Sequence, residues 1–87
     1  MRVSIATPLQ SYTGGVSQVE AQGSTVGALL ADLDVHYPGI RFRMISEQDQ
    51  IREHIRIFVN KERAHDLKVK LHPDDVVQII TSLSGGA

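Results

Sequence analysis

Four histidines, His36, His54, His65 and His72, and the adjacent carboxylates Asp74-Asp75 are the side chains here with the types needed for metal binding or acid–base work. Their spacing argues against both. No two histidines stand four apart, as a helical ligand pair requires, and there is no cysteine to complete a zinc set. Neighbouring carboxylates directly after Pro73 have the composition of a turn. Arg41-Phe42-Arg43 interleaves charge with an aromatic ring as nucleic-acid readers do. Nine Lys+Arg against ten Asp+Glu, a net charge of -1, supply no general basic field behind it. Glu47, Asp49, Glu53 and Glu62 read as solvated acids suited to guiding a basic partner. No nucleophile stands with a base and an acid. The sequence closes on Leu83-Ser84-Gly85-Gly86-Ala87, and from the residues alone a glycine-rich end reads as a frayed terminus.

The elements that must position any such groups are few. A chain of 87 residues and 9.6 kDa is one domain. It buries roughly 60–65% of its unfolded surface and has no room for a Rossmann or barrel enzyme with its own cofactor cleft. Apolar residues at 41% and charged residues at 22% are the balance of a globular protein. The absence of cysteine removes disulfides, thiolate metal sites and thiol catalysis, and leaves the redox compartment open. Pro8 and the polar residues after it deny the start an apolar signal-peptide core, and no apolar run approaches the roughly 18 residues of a membrane helix. The expectation is a small soluble cytoplasmic domain, with neither nucleic acid nor membrane as partner, that works by what it presents to others.

Val3 and Ile5 alternate with Ser4, a half-buried strand over 2–6 that loosens at Pro8. Thr13-Gly14-Gly15 is a turn signal, and Val16, Val19 and Ala21 give a second strand, so the opening reads as a hairpin. Val26, Leu29, Leu30 and Leu33 form one apolar stripe of a helix over 25–36, capped by Ser24 or Thr25 and ended by Pro38-Gly39. Ile40, Phe42, Met44 and Ile45 are expected over the core as a covering loop or short turn. Ile55 to Asn60 alternates as a strand, Asn60-Lys61-Glu62-Arg63 is a turn, and Leu67 to Leu71 is a short alternating strand. The apolar run Val76 to Ile80 suits a buried central strand. The order β-β-α-β-β-β, with one helix on one face of a mixed sheet, predicts a two-layer α+β fold of the β-grasp type. Its first and last strands would be a parallel central pair.

At this stage the sequence resembles the ThiS/MoaD-like sulfur carriers of the ubiquitin-like superfamily. The resemblance rests on Tyr12-Thr13-Gly14-Gly15, Gly23-Ser24-Thr25-Val26, Tyr37-Pro38-Gly39-Ile40, Ile57-Phe58-Val59-Asn60, and Asp74-Asp75-Val76 leading into Leu83-Ser84-Gly85-Gly86. The Thr-Gly-Gly segment and the Phe-Val-Asn strand look most like the cysteine-biosynthesis group. The resemblance implies a β-grasp domain over 1–83 and a flexible tail over 84–87, acting as a protein co-substrate rather than an enzyme. In that family the terminal glycine, here Gly86, is adenylated and converted to a thiocarboxylate. Gly85 would supply flexibility, and Leu83 and Ser84 would guide the tail. No cofactor is implied on this chain; ATP and Mg²⁺ belong to a partner adenylyltransferase of the ubiquitin-activating type. A sulfurtransferase or sulfide donor and an acceptor biosynthetic enzyme complete the set, with cysteine, thiamine and molybdopterin among the products such carriers serve. Ala87 departs from the pattern, because carriers ready for activation end on the second glycine. Either Ala87 is removed, the favoured reading, with a JAMM-type metalloprotease as a candidate, or the partner accepts an alanine end, or the tail is not activated. The alternatives are a ubiquitin-like modifier joined to lysines through Gly86, or a non-reactive β-grasp binding module.

If Val77 and Ile79 face the helix, period-2 alternation turns Gln78 and Ile80 to the open side of the sheet. The neighbouring strand then buries Ile55, Ile57 and Val59 and turns Arg56 and Phe58 outward. Phe58 and Ile80 together would make an apolar partner surface. A slip of one residue would return both to the core.

Overall fold

The computed structural model describes residues 1–82. Strand β1 (Arg2–Ile5) pairs antiparallel with β2 (Gln18–Glu20), Val3 opposite Val19. Its other side pairs in parallel with β5 (Val76–Thr81), Val3 opposite Val77. Strand β3 (Ile55–Val59) lies antiparallel on the far side of β5 and is followed outward by β4 (Glu62–Ala64). The sheet order β2-β1-β5-β3-β4 places the first and last strands side by side at the centre, as expected. Helix α1 (Val26–His36) buries Val26, Leu29, Leu30 and Leu33 in the same cluster as Val3, Ile57, Val77 and Ile79 of the sheet. Full burial of each leucine of that stripe is worth about 1.5–3 kcal/mol, which fixes the helix to one face.

The local chemistry explains the boundaries. The backbone N–H of Ala28 donates to the Thr25 hydroxyl at 3.1 Å, so Thr25 is the N-cap. Past Pro38, Gly39 takes φ 97°, a left-handed turn, and Asp34 accepts from the N–H groups of Gly39 and Arg41 at 3.1 Å each.

Several expectations need correction. Between β1 and β2 the chain makes a 3-10 turn over Thr7–Tyr12 before its glycine turn, so the two strands pair but are not joined by a tight hairpin. The turn itself is as read, with Gly14 and Gly15 at φ 67° and 86°; Val16 after it stays exposed, outside the strand.

Residues 40–44 form a short helix, α2 (Ile40–Met44), that buries Ile40 and Met44, with Ile45 buried just beyond it. Phe42 faces away from the core at 57% exposure, because a helical period separates it from its apolar neighbours where an extended loop would not.

The turn after β3 is only Asn60-Lys61, both at positive φ, and Glu62 and Arg63 are already in β4. Val59, expected in the core, is half-buried at that end of β3.

Residues 67–71 are not a ladder strand. They meet α1 instead: the N–H groups of Val26 and Gly27 donate to the carbonyls of Val69 and Leu67 at 2.9 Å each, and Leu71 N–H donates to Ser24 O at 2.8 Å. The unpaired donors of a helix start take the acceptors that a neighbouring strand would otherwise use. The alternation still sorts sides, with Leu67, Val69 and Leu71 inward and Lys68 and Lys70 exposed.

Candidate functional site

The strand register settles where Phe58 and Ile80 lie. Ile57 stands opposite Ile79, both buried against α1, so their neighbours turn to the other side. Phe58 pairs with Gln78 and Ile80 with Arg56, which sets Phe58 and Ile80 as diagonal neighbours on the open face. Ile80 is 44% exposed and Val76, further along the same strand, 42%. Phe58 is half-buried and lies outside the core cluster. The slipped register, with both side chains in the core, is excluded.

Register also reveals what single-strand alternation does not. Arg63 of β4 stands opposite Phe58, and Arg2 of β1 stands opposite Val76. With Arg56, three arginines surround the apolar centre, and among the described residues none has a carboxylate within ion-pair distance. Arg56 is steadied by donating from Nη1 to the carbonyls of Glu53 and Ile55. Glu20 opposite Arg2 is engaged by the Met1 amino group at 3.1 Å. The open face is an apolar centre in a cationic frame, suited to an acidic partner surface with an apolar middle.

β5 carries this face to the end of the described chain. Thr81 pairs with Ile55, and Ser82 N–H donates to His54 O at 2.8 Å, so the backbone stays tied to β3 through Ser82. Leu83, Ser84, Gly85, Gly86 and Ala87, the expected reactive segment, lie outside the described residues, and so does the expected boundary between a domain at 1–83 and a tail at 84–87.

The other side chains with chemical potential resolve into structure. Asp75 accepts from His72 N–H at 2.8 Å and from the Asn60 amide at 2.7 Å. The His72 bond, then the Asn60 bond, holds its carboxyl below the usual carboxylate range. Asp74-Asp75 is thus part of a turn. His36 sits on the exposed side of α1, its Nδ1 2.9 Å from the Asp32 carbonyl. Among the described residues, no group of three His, Cys, Asp or Glu side chains is placed to hold a metal ion, and no helix is long and apolar enough to cross a membrane.

A five-stranded mixed sheet with a parallel central pair, one long helix on its inner face and an outer face that no described element covers defines a ubiquitin-like β-grasp domain. The chain belongs to the ThiS family, whose model matches residues 3–86. It is 35% identical over 89 aligned residues to the sulfur carrier protein CysO of Mycobacterium tuberculosis, covering 97% of this chain and 96% of that protein. Its fold superposes with a TM-score of 0.90 on a chain of the crystal structure of the Amycolatopsis orientalis BexX/CysO complex, at 32% identity and 98% coverage of both chains. It is also similar to the small archaeal modifier protein SAMP1 of Haloferax volcanii, with a TM-score of 0.78, 25% identity, and coverage of 99% of this chain and 98% of that one.

Proposed function

We propose that this chain is a sulfur carrier of the cysteine-biosynthesis type, a protein co-substrate whose Gly86 carboxylate bears the sulfur. The observation that carries the reading is the 35% identity to a sulfur carrier protein along essentially the full length of both chains. The family match runs through Gly86 itself.

In the proposed sequence, Ala87 is first hydrolysed away, which frees the Gly86 carboxylate; a JAMM-type metalloprotease is the candidate. A partner adenylyltransferase, supplying ATP and Mg²⁺, then joins that carboxylate to AMP and releases pyrophosphate. Sulfide from a sulfide donor displaces AMP and leaves the thiocarboxylate directly. The persulfide of a sulfurtransferase displaces AMP to give an acyl disulfide, which a thiol reductant cleaves to the thiocarboxylate. An acceptor biosynthetic enzyme consumes that product. Gly85 and Gly86 suit this role because a backbone without side chains passes a narrow channel and takes the dihedrals imposed on it. Leu83 and Ser84 guide the segment, and the Phe58 and Ile80 face seats the adenylyltransferase. An ATP-dependent cycle of this kind places the protein in the cytoplasm.

The modifier reading has less support, since the structures of modifier proteins share 21–25% identity with this chain against 32–35% for CysO. The test is intact mass after incubation with the protease, the adenylyltransferase, ATP and a sulfide source. The expected product has lost Ala87 and exchanged one oxygen for sulfur. Lysine conjugates without any thiocarboxylate would overturn the reading in favour of a modifier.

A further inference from the structure

Beside the end of β5, on the flank of the domain rather than on its open face, lies a groove of about 360 Å³ lined by Pro8, Leu9, Phe42, Arg43, Arg52, His54 and Thr81. Its composition is unusual for a chain of net charge -1. It gathers two guanidinium groups and an imidazole around an aromatic ring, and no Asp or Glu lines it. The Arg52 guanidinium lies 4.7 Å from the centre of the Phe42 ring, and its Nε donates to Phe42 O at 2.8 Å. Those two contacts hold the guanidinium over the ring, and among the described residues its Nη groups have no hydrogen-bond partner.

The three arginines of this region are not alike. Arg41 is matched by Asp49 at 3.3 Å. Among the described residues, neither Arg43 nor Arg52 has a carboxylate within ion-pair distance. Phe42, 57% exposed, is held at the rim by a helix that buries Ile40 and Met44 on its other side. A large ring in water between uncompensated cations marks a surface complementary to apolar and anionic groups together.

We propose that this groove is a docking site for an acidic, apolar segment of a partner protein, with carboxylates on Arg43 and Arg52 and a leucine- or phenylalanine-sized side chain against Phe42. The charge of the lining selects the occupant. Two cations suffice for a short acidic peptide, whereas a nucleic acid would bring its phosphates against a chain that is acidic overall. A second hollow, lined in part by Gln78 and Ile80 of the open face, shares Pro8 and Thr81 with the groove's lining, so the groove adjoins that face. The inference stands apart from the sulfur-carrier reading, since it requires no reaction at Gly86.

The test is an NMR titration of the isotope-labelled full chain with a blocked EELFEE peptide, beside its QQLFQQ counterpart. The expected result is chemical-shift change centred on Phe42, Arg43, Arg52, His54 and Thr81, with an affinity of about 1 mM or tighter that falls as salt is raised. Arg43→Glu is expected to weaken binding about tenfold and Arg43→Lys to retain it, with the amide spectrum reporting that both variants are folded. Equal response to the QQLFQQ peptide, shifts centred on the open sheet face, or no response at about 1 mM peptide would each overturn the proposal. So would a response at these residues to polyuridylate alone.

Discussion

Asn60 and Asp75, fifteen residues apart in sequence, are joined side chain to side chain at 2.7 Å where β3 turns into β4 and β5 begins. Asn60 also accepts from Val76 N–H at 2.9 Å and donates its own N–H to Val76 O at 2.9 Å. One residue of the β3–β4 turn therefore fixes the start of the central strand. It does so at φ 51°, a left-handed conformation that asparagine tolerates better than most residues. Asn60→Ala is expected to cost about 1–2 kcal/mol in urea unfolding, through the lost acceptor for Val76 and the left-handed backbone together. Asn60→Gly removes the backbone penalty and keeps the lost bonds, so its smaller effect apportions the two.

The same pair predicts a pH dependence. His72 N–H and the Asn60 amide hold the Asp75 carboxyl below its ordinary range. A carboxyl lowered in the folded state adds stability above its unfolded value and loses it as pH falls through the folded value. The contribution is thus complete above about pH 4 and fades below it. Asp75→Asn is expected to flatten the acid limb of a stability–pH curve while leaving its shape near neutrality unchanged. An identical acid limb in the variant would remove Asp75 as the cause.

Phe58 and Ile57 are adjacent and point to opposite sides of the sheet, which makes them a matched test of the open face. Ile57→Asp buries a charge against α1 at a site with no exposure and is expected to unfold the protein. Phe58→Asp is expected to leave circular dichroism and cooperative unfolding intact while abolishing adenylyltransferase binding in a pull-down. A folded Phe58→Asp protein with unaltered binding would move the interface elsewhere.

Much of this was legible from local pattern. The stripe Val26, Leu29, Leu30, Leu33 and the alternation around Val77 and Ile79 carry their own period, so α1, β5 and the outward direction of Ile80 follow from residues close in sequence. β4 was not legible, because Glu62-Arg63-Ala64 has no apolar alternation and becomes a strand only by pairing with β3. Residues 67–71 have the alternation of a strand, yet their backbone partner is a helix start forty or more residues earlier, which no window of sequence contains. Arg63 and Arg2 join Phe58 and Val76 only through pairing register, so the cationic frame of the face was hidden in the same way.

Gly23 marks another relationship set by the fold. A Cβ at this position would lie 2.8 Å from the Ala28 backbone carbon, inside van der Waals contact with the first turn of α1. The chain leaving β2 therefore passes against the helix it is about to enter. Gly23→Ala is expected to destabilise by about 1–3 kcal/mol in thermal or urea unfolding, the cost of a forced backbone shift in a packed region. Gly14→Ala, with no atom within 4 Å of its would-be Cβ, reports backbone strain at φ 67° alone and is the comparison that isolates the clash.

The sulfur-carrier reading makes its sharpest prediction at Ala87. A peptide bond to Ala87 leaves Gly86 with an amide carbonyl and no carboxylate oxygen to attack ATP, so activation at Gly86 has to follow hydrolysis of that bond. A chain ending at Gly86 is expected to form the thiocarboxylate with adenylyltransferase, ATP and sulfide alone. The chain ending at Ala87 is expected to do so only when the protease is added, with the mass of alanine lost before sulfur is gained. Replacing Gly86 with proline in the shortened chain fixes φ and adds a ring where a narrow channel needs bare backbone. That variant is expected to lose activation while its unfolding curve stays unchanged. Full thiocarboxylate formation on a chain that retains Ala87 would mean that the alanine carboxylate itself carries the sulfur, and would reassign the reactive position from Gly86 to Ala87.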